Sequence, residues 1–245
     1  MNNNAVIAVA VAALLVAGGG AAAYFMMNDG GKGSDAPELI VGQYTYDAYD
    51  HASGKNVKMP AFYEDSYFDK GASADNPSLM MFAFNIAMSC GYSTDDFSRR
   101  SDSVVAFMTA VGYTETYVND AYKTEPTMHS TQVALGSRTI GSYTVIIVAV
   151  NGMNYGAAFG SNMLVGASGD HEGFSEGKDV VLETLRHYIE DKGITGDVKL
   201  LTTGYSRSAA ITNLVGRDVS DAIAEGTVAE TVGDVNLEKD SAYFY

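Results

Sequence analysis

Cysteine is almost missing from this chain. Cys90 stands alone among 245 residues, which excludes an intrachain disulfide and a thiolate metal cluster. It closes the apolar run Met80–Cys90, where a buried, inert thiol is expected. Basic residues are scarce too. Lys and Arg number 15 against 30 Asp and Glu, a formal charge of −15 that argues against nucleic acid or an anionic membrane surface as the main partner. No His/Asp/Glu cluster has ligand spacing, so no metal is expected. Nothing resembles Gly-Lys-Ser/Thr, so neither a nucleotide loop nor any other cofactor site is expected. Disorder is excluded as well, because 47% of residues are hydrophobic and only 18% charged. The length suits one core and would strain to hold two.

Charge is absent over one long stretch. Ala5–Met27 carries none, and as a helix its 23 residues would span roughly 35 Å, enough for a bilayer core. Asn28–Glu38 follows as a flexible linker. The reading is a signal-anchor helix, or a signal peptide cleaved near Ala21–Ala23, on residues 1–35, with the folded domain on 36–245. The protein is therefore expected outside the cytoplasm, membrane-anchored, or secreted if the segment is removed.

Further along, Leu39–Tyr46 and Tyr63–Phe68 are aromatic-rich and extended, and with Asp47–Pro60 they form an N-terminal decoration. His51 falls in a polar loop and is read as solvated. Asn76-Pro77-Ser78 opens a helix that is apolar nearly all round, hence buried. Ser101–Val111 reads as a helix ending at Gly112, and Thr114–Val118 and Gln132–Leu135 as short strands. Tyr143–Val150, YTVIIVAV, is the strongest strand, uncharged and β-branched, as in a parallel strand covered on both faces. Glu172–Asp191 has one apolar face and stops at Gly193. Val198–Thr203 is a second strand, and Ala242–Tyr245 resembles a third. Strand, helix, strand, helix, strand predicts an α/β protein with a doubly wound, mostly parallel sheet.

The chemistry concentrates at Gly204-Tyr205-Ser206-Arg207-Ser208. A strand precedes it, and after it Ile211, Leu214, Val215, Val219 and Ala222 mark a helix. Strand, sharp turn with a central serine, helix is the layout of a nucleophile elbow. Gly204 would permit the turn, Ser206 would present its hydroxyl at the apex, and the Arg207 N–H would face a developing oxyanion at the positive helix end. Ser208 occupies the place of the motif's second glycine, and with Ala209 and Ala210 keeps that face small.

From about Tyr143 onward the chain resembles the α/β-hydrolase fold, in particular the class 3 (fungal-type) lipases and their bacterial relatives. Three stretches carry the likeness, in the family's order: VIIVAVNGM, similar to the strand ending in Arg-Gly-Thr/Ser; Asp170-His171-Glu172-Gly173-Phe174, similar to His-x-Gly-Phe at a helix start; and TTGYSRSAAITNL. The resemblance implies that Ser206 attacks an ester carbonyl and that the N–H groups of Arg207 and Met153 hold the oxyanion. It also implies that His171 is a hydrogen-bonding residue at a helix start and not the base. Asn151 and Met153 stand where the family has Arg and Thr or Ser.

A serine needs a histidine to take its proton and a carboxylate to orient that histidine. In this fold both follow the serine. Past Ser206 there are Asp218, Asp221, Asp234 and Asp240 but no histidine; His51, His129, His171 and His187 all precede it. Asp218 and Asp221 fall on the solvated side of the elbow helix. The expectation is a lipase- or esterase-type serine hydrolase whose acid and base lie beyond Tyr245, incompetent in the form given. The alternative is a surface-anchored pseudo-hydrolase serving as a binding module. A peptidase or acyltransferase would share the same elbow.

Overall fold

A computed structural model describes residues 41–50, 53–91, 99–152, 157, 159–166 and 170–245. The apolar N-terminal segment, His51 and Met153 lie outside the described residues. In chain order the elements are β1 (Val41–Asp50), β2 (Lys55–Glu64), α1 (Pro77–Ser89), α2 (Asp102–Ala110), β3 (Glu115–Val118), β4 (Val133–Ile140), β5 (Tyr143–Val150), α3 (Glu172–Lys192), β6 (Val198–Gly204), α4 (Arg207–Glu225), the one-turn α5 (Val228–Thr231) and β7 (Ala242–Phe244).

The chain is an α/β protein built on a five-stranded sheet of order β3-β4-β5-β6-β7. The sheet is mixed, not mostly parallel. β4 pairs antiparallel with both β3 and β5, and only β5, β6 and β7 run parallel. The two-residue turn Gly141-Ser142 explains why β5 runs against β4, since a connection of that length can only reverse the chain.

Alternation in β5 sets the layers. Val145, Ile147 and Ala149 join a core with α1, α2 and the β1–β2 hairpin, while Ile146, Val148 and Val150 join a core with α3 and α4. Both crossover helices thus share one face. The opposite face is covered by elements that precede the sheet in sequence. Burial of β5 from Val145 to Val150 is complete on both faces, which is why the strand reads as a continuous apolar run.

Two expectations need correction here. The N-terminal decoration is instead a hairpin of two ten-residue strands, β1 and β2, whose Tyr46, Ala48, Ala61 and Tyr63 are buried in the core. α1 is not buried all round either: Met80, Met81 and Phe84 are 46–51% exposed, because hairpin, α2 and sheet together enclose the side that carries Leu79, Phe82, Ala83, Ile86 and Ala87. Its start is as read, with the Leu79 N–H donating to the Asn76 side chain at 3.2 Å and Pro77 in the first turn. Cys90 is fully buried, and burial pushes its thiol up to about 12. Lys199, the charge within β6, reaches out to the Phe68 carbonyl and lies 4.4 Å from the centre of the Tyr143 ring.

Asp221 is exposed, but Asp218 joins a charge cluster between α3 and α4. It accepts from Lys178 at 2.6 Å and from Arg217, which also grips Asp170 at 2.7 Å. Burial opposes the Asp218 charge, yet the bonds from Lys178 and Arg217 outweigh it and hold the carboxyl below the ordinary range. A depressed folded pKa contributes stability above the unfolded value of about 4, and that contribution disappears as pH falls through the folded value. Asp218→Asn is therefore expected to lower the urea midpoint at pH 7 and to flatten the acid limb of the stability curve below about pH 4. Urea titrations of both proteins across pH 2–7 would check this.

Candidate active site

The register of β5 and β6 ends on the pair Val150↔Gly204. Asn151-Gly152 and Tyr205-Ser206 therefore leave the sheet side by side. Ligands of open parallel sheets bind at such carboxyl ends. Asn151 is 4% exposed and fixes the end of β5, its side-chain amide donating to the Gln132 side chain at 2.8 Å and its N–H to the Gln132 carbonyl.

Ser206 joins β6 to α4 with φ 60° and ψ −119°. Among the described residues it is the one non-glycine with positive φ. These angles are the mirror image of an ordinary extended conformation, and an L-residue held there stores about 1–3 kcal/mol of strain. The side chain is exposed at the apex of the bend, and no described side chain hydrogen-bonds to it. Behind it the first turn of α4 forms at once: the Ser208 N–H returns to the Tyr205 carbonyl and that of Ala209 to the Ser206 carbonyl. The Arg207 N–H is one of the free donors that every helix start leaves.

Small residues make the turn possible, though not as the motif suggests. Gly204 has no positive φ; its lack of a side chain matters because a Cβ there would lie 2.6 Å from the Ser208 carbonyl oxygen. Gly152 is tighter still, since a Cβ would stand 2.0 Å from the Tyr205 carbonyl oxygen and 2.7 Å from the Ser208 hydroxyl. Ser208 is fully buried. Its hydroxyl accepts from the Tyr205 N–H at 2.8 Å and donates to the Tyr205 carbonyl at 2.9 Å. Neither contact was visible in the sequence, where the one available signal was the small residue at each of these positions.

The Arg207 side chain is buried as well, donating to the Ser161 hydroxyl at 3.0 Å and to the Gly173 carbonyl at 3.2 Å. Burial lowers its pKa, against the pull of the Glu176 carboxylate. Tyr205 sits edge-on to Phe84 of α1, with both rings partly exposed beside the serine.

Among the described residues the histidines are engaged elsewhere or exposed. His171 is the N-cap residue of α3 but its side chain makes no capping bond; its Nε2 lies 3.1 Å from the Asn162 carbonyl and its ring stacks on Phe174 at 3.9 Å. His129 Nδ1 lies 2.8 Å from Glu176, and His187 is exposed on α3. Of the oxyanion pair only Arg207 can be placed, Met153 being outside the described residues. No group of three His, Cys, Asp or Glu among the described residues is arranged to hold a metal. A groove of about 480 Å³ lies between β1 and α2, lined by Tyr46, Asp47, Lys58, Asp102 and Ala106, and no elbow residue contributes to it.

Compared with known proteins, the chain matches no family model, no curated protein and no solved structure.

Proposed function

We propose that the chain carries the nucleophile of a serine ester hydrolase of lipase or esterase type, on an α/β-hydrolase-like sheet. The observation that supports this most is Ser206, an exposed hydroxyl held at a strained positive φ between a parallel strand and a helix N-terminus. Strain persists where the surroundings impose it, and it clusters at sites that use it. In the proposed step the Ser206 oxygen gives its proton to a base and bonds to the acyl carbon, the bond to the leaving alcohol breaks as that alcohol takes the proton, and the Arg207 N–H faces the intermediate's oxyanion beside the positive end of α4. The Met153 N–H is proposed as the second donor. The hydrocarbon of Tyr205 and Phe84 beside the serine suits an acyl ester. The segment Ala5–Met27 is proposed as a membrane anchor or export signal, which would place the domain outside the cytoplasm; among the described residues no helix is long and apolar enough to cross a membrane.

A second reading has its own support. Ser206 has no described histidine within hydrogen-bond reach, which suits a binding module that keeps the fold without the chemistry. One experiment separates the two. Protein made from the complete natural reading frame is treated with an alkyl fluorophosphonate, and the modified peptide is identified by mass. Labelling confined to Ser206 is expected and supports the hydrolase. A folded protein that takes no label would reject it in favour of the binding module.

A further inference from the structure

We infer that Ser208 is a positioning residue for Ser206, a hydroxyl brace that does the work of the glycine it replaces. This rests on the hydrolase reading for its catalytic meaning, and on geometry alone for the brace itself. A strained residue stays where it is only if its neighbours leave it no alternative. The peptide groups on either side of Tyr205 lead directly into Ser206. Ser208 reaches back across the turn and satisfies both, taking the Tyr205 N–H at 2.8 Å and giving its own proton to the Tyr205 carbonyl at 2.9 Å.

One hydroxyl thus uses its donor and one acceptor position on a single residue. It is fully buried, so water cannot substitute when it is removed. Its surroundings are also shaped to it: a Cβ on Gly204 or on Gly152 would come within 2.7 Å of the Ser208 oxygen. The two glycines are therefore the complement of the brace. In the motif a glycine at this place lets helix and strand approach; here the approach is kept by glycines on the facing strands, and the vacated place carries a polar clamp.

The brace acts on Ser206 through the turn and does not touch substrate. Removing it leaves the Tyr205 N–H without that partner and the Tyr205 carbonyl held only by the Ser208 N–H at 3.3 Å, and lets the serine relax toward ordinary angles, which moves its oxygen away from the line of attack. The effect belongs in the bond-forming step and not in binding.

The test uses Ser208→Ala and Ser208→Gly in protein from the complete reading frame, with an alkyl fluorophosphonate as probe. In that reaction the Ser206 oxygen–phosphorus bond forms, fluoride leaves and the serine proton passes to a base or to water. The first-order inactivation constant is expected to fall about tenfold in both variants while the probe's binding constant stays within about twofold, since a tenfold change is the size of one lost hydrogen bond, about 1.4 kcal/mol. Amide hydrogen exchange at Tyr205 is expected to speed up in both. Unchanged exchange overturns the brace. Faster exchange with an unchanged inactivation constant, or a gain on restoring the motif's glycine, overturns the positioning role alone. Wild-type protein that takes no probe removes the hydrolase reading and the positioning role with it, while exchange still decides the brace.

Discussion

Gly152→Ala is expected to destabilise the protein by about 3 kcal/mol or more and to abolish labelling of Ser206 by the phosphonate probe. The new methyl would lie 2.0 Å from the Tyr205 carbonyl oxygen, where real Cβ atoms are not found. That oxygen is backbone, fixed from one side by the Ser208 hydroxyl and from the other by the turn into α4. Either the end of β5 or the elbow must move by about an ångström, and both are tied to the central pair of the sheet. Gly136 in β4 provides the contrast. A Cβ there meets the flexible Met108 sulfur at 3.0 Å and Tyr113 Cβ at 3.2 Å, an overlap of a few tenths of an ångström and not of more than one, so Gly136→Ala should cost less, about 1–2 kcal/mol. Urea midpoints of the two variants measure the difference. Equal costs would mean that the elbow is soft and that the close approach does not define it.

The parts of this molecule that could be read from sequence are those governed by local pattern. Tyr143–Val150 announced itself by six consecutive buried apolar residues. The elbow was legible because strand, turn and helix follow one another without interruption, and because Ile211, Val215, Val219 and Ala222 keep helical spacing. The hairpin was less so. Tyr44, Tyr46 and Ala48 do alternate inward, but Tyr49 and Asp50 blur the period, and Pro60 in β2 argues against a strand anywhere except in a two-stranded ribbon.

What could not be read depends on contacts between distant residues. The exposed side of α1 follows from which partners happen to cover the other side, and its residues are equally apolar on both. The antiparallel pairing of β4 with β5 follows from a two-residue turn, not from the composition of either strand. At the site, Ser208 looked like a departure from a motif. Its meaning lies in hydrogen bonds to Tyr205 and in the space left by Gly152, 56 positions earlier in the chain. Sequence spacing carries no record of such a fit. The charge cluster was missed for the same reason, since Asp170, Lys178, Arg217 and Asp218 meet only when α3 and α4 pack.

Replacing Ser206 by glycine should raise stability and remove function together. At φ 60° and ψ −119° a serine is strained, whereas glycine reaches the mirror image of an extended conformation without penalty. Relief of about 1–3 kcal/mol is offset by the greater freedom of glycine in the unfolded chain, about 0.5–1 kcal/mol, leaving a net gain of about 1 kcal/mol. For a domain of this size that is a rise of about 2–4 °C in the melting temperature. Ser206→Ala keeps the strained backbone and loses only the hydroxyl, so it should leave the melting temperature close to that of the wild type. Both variants should lose phosphonate labelling entirely, and any ester hydrolysis by the product of the complete reading frame should fall by about 10⁴-fold or more. The pair of measurements separates two properties of one residue. Were the glycine variant no more stable than the alanine one, the bend would be an unstrained turn, and the argument from strain to catalysis would have no foundation. A rise with glycine and not with alanine would show a protein holding a residue in an unfavourable shape, as the proposed nucleophile requires.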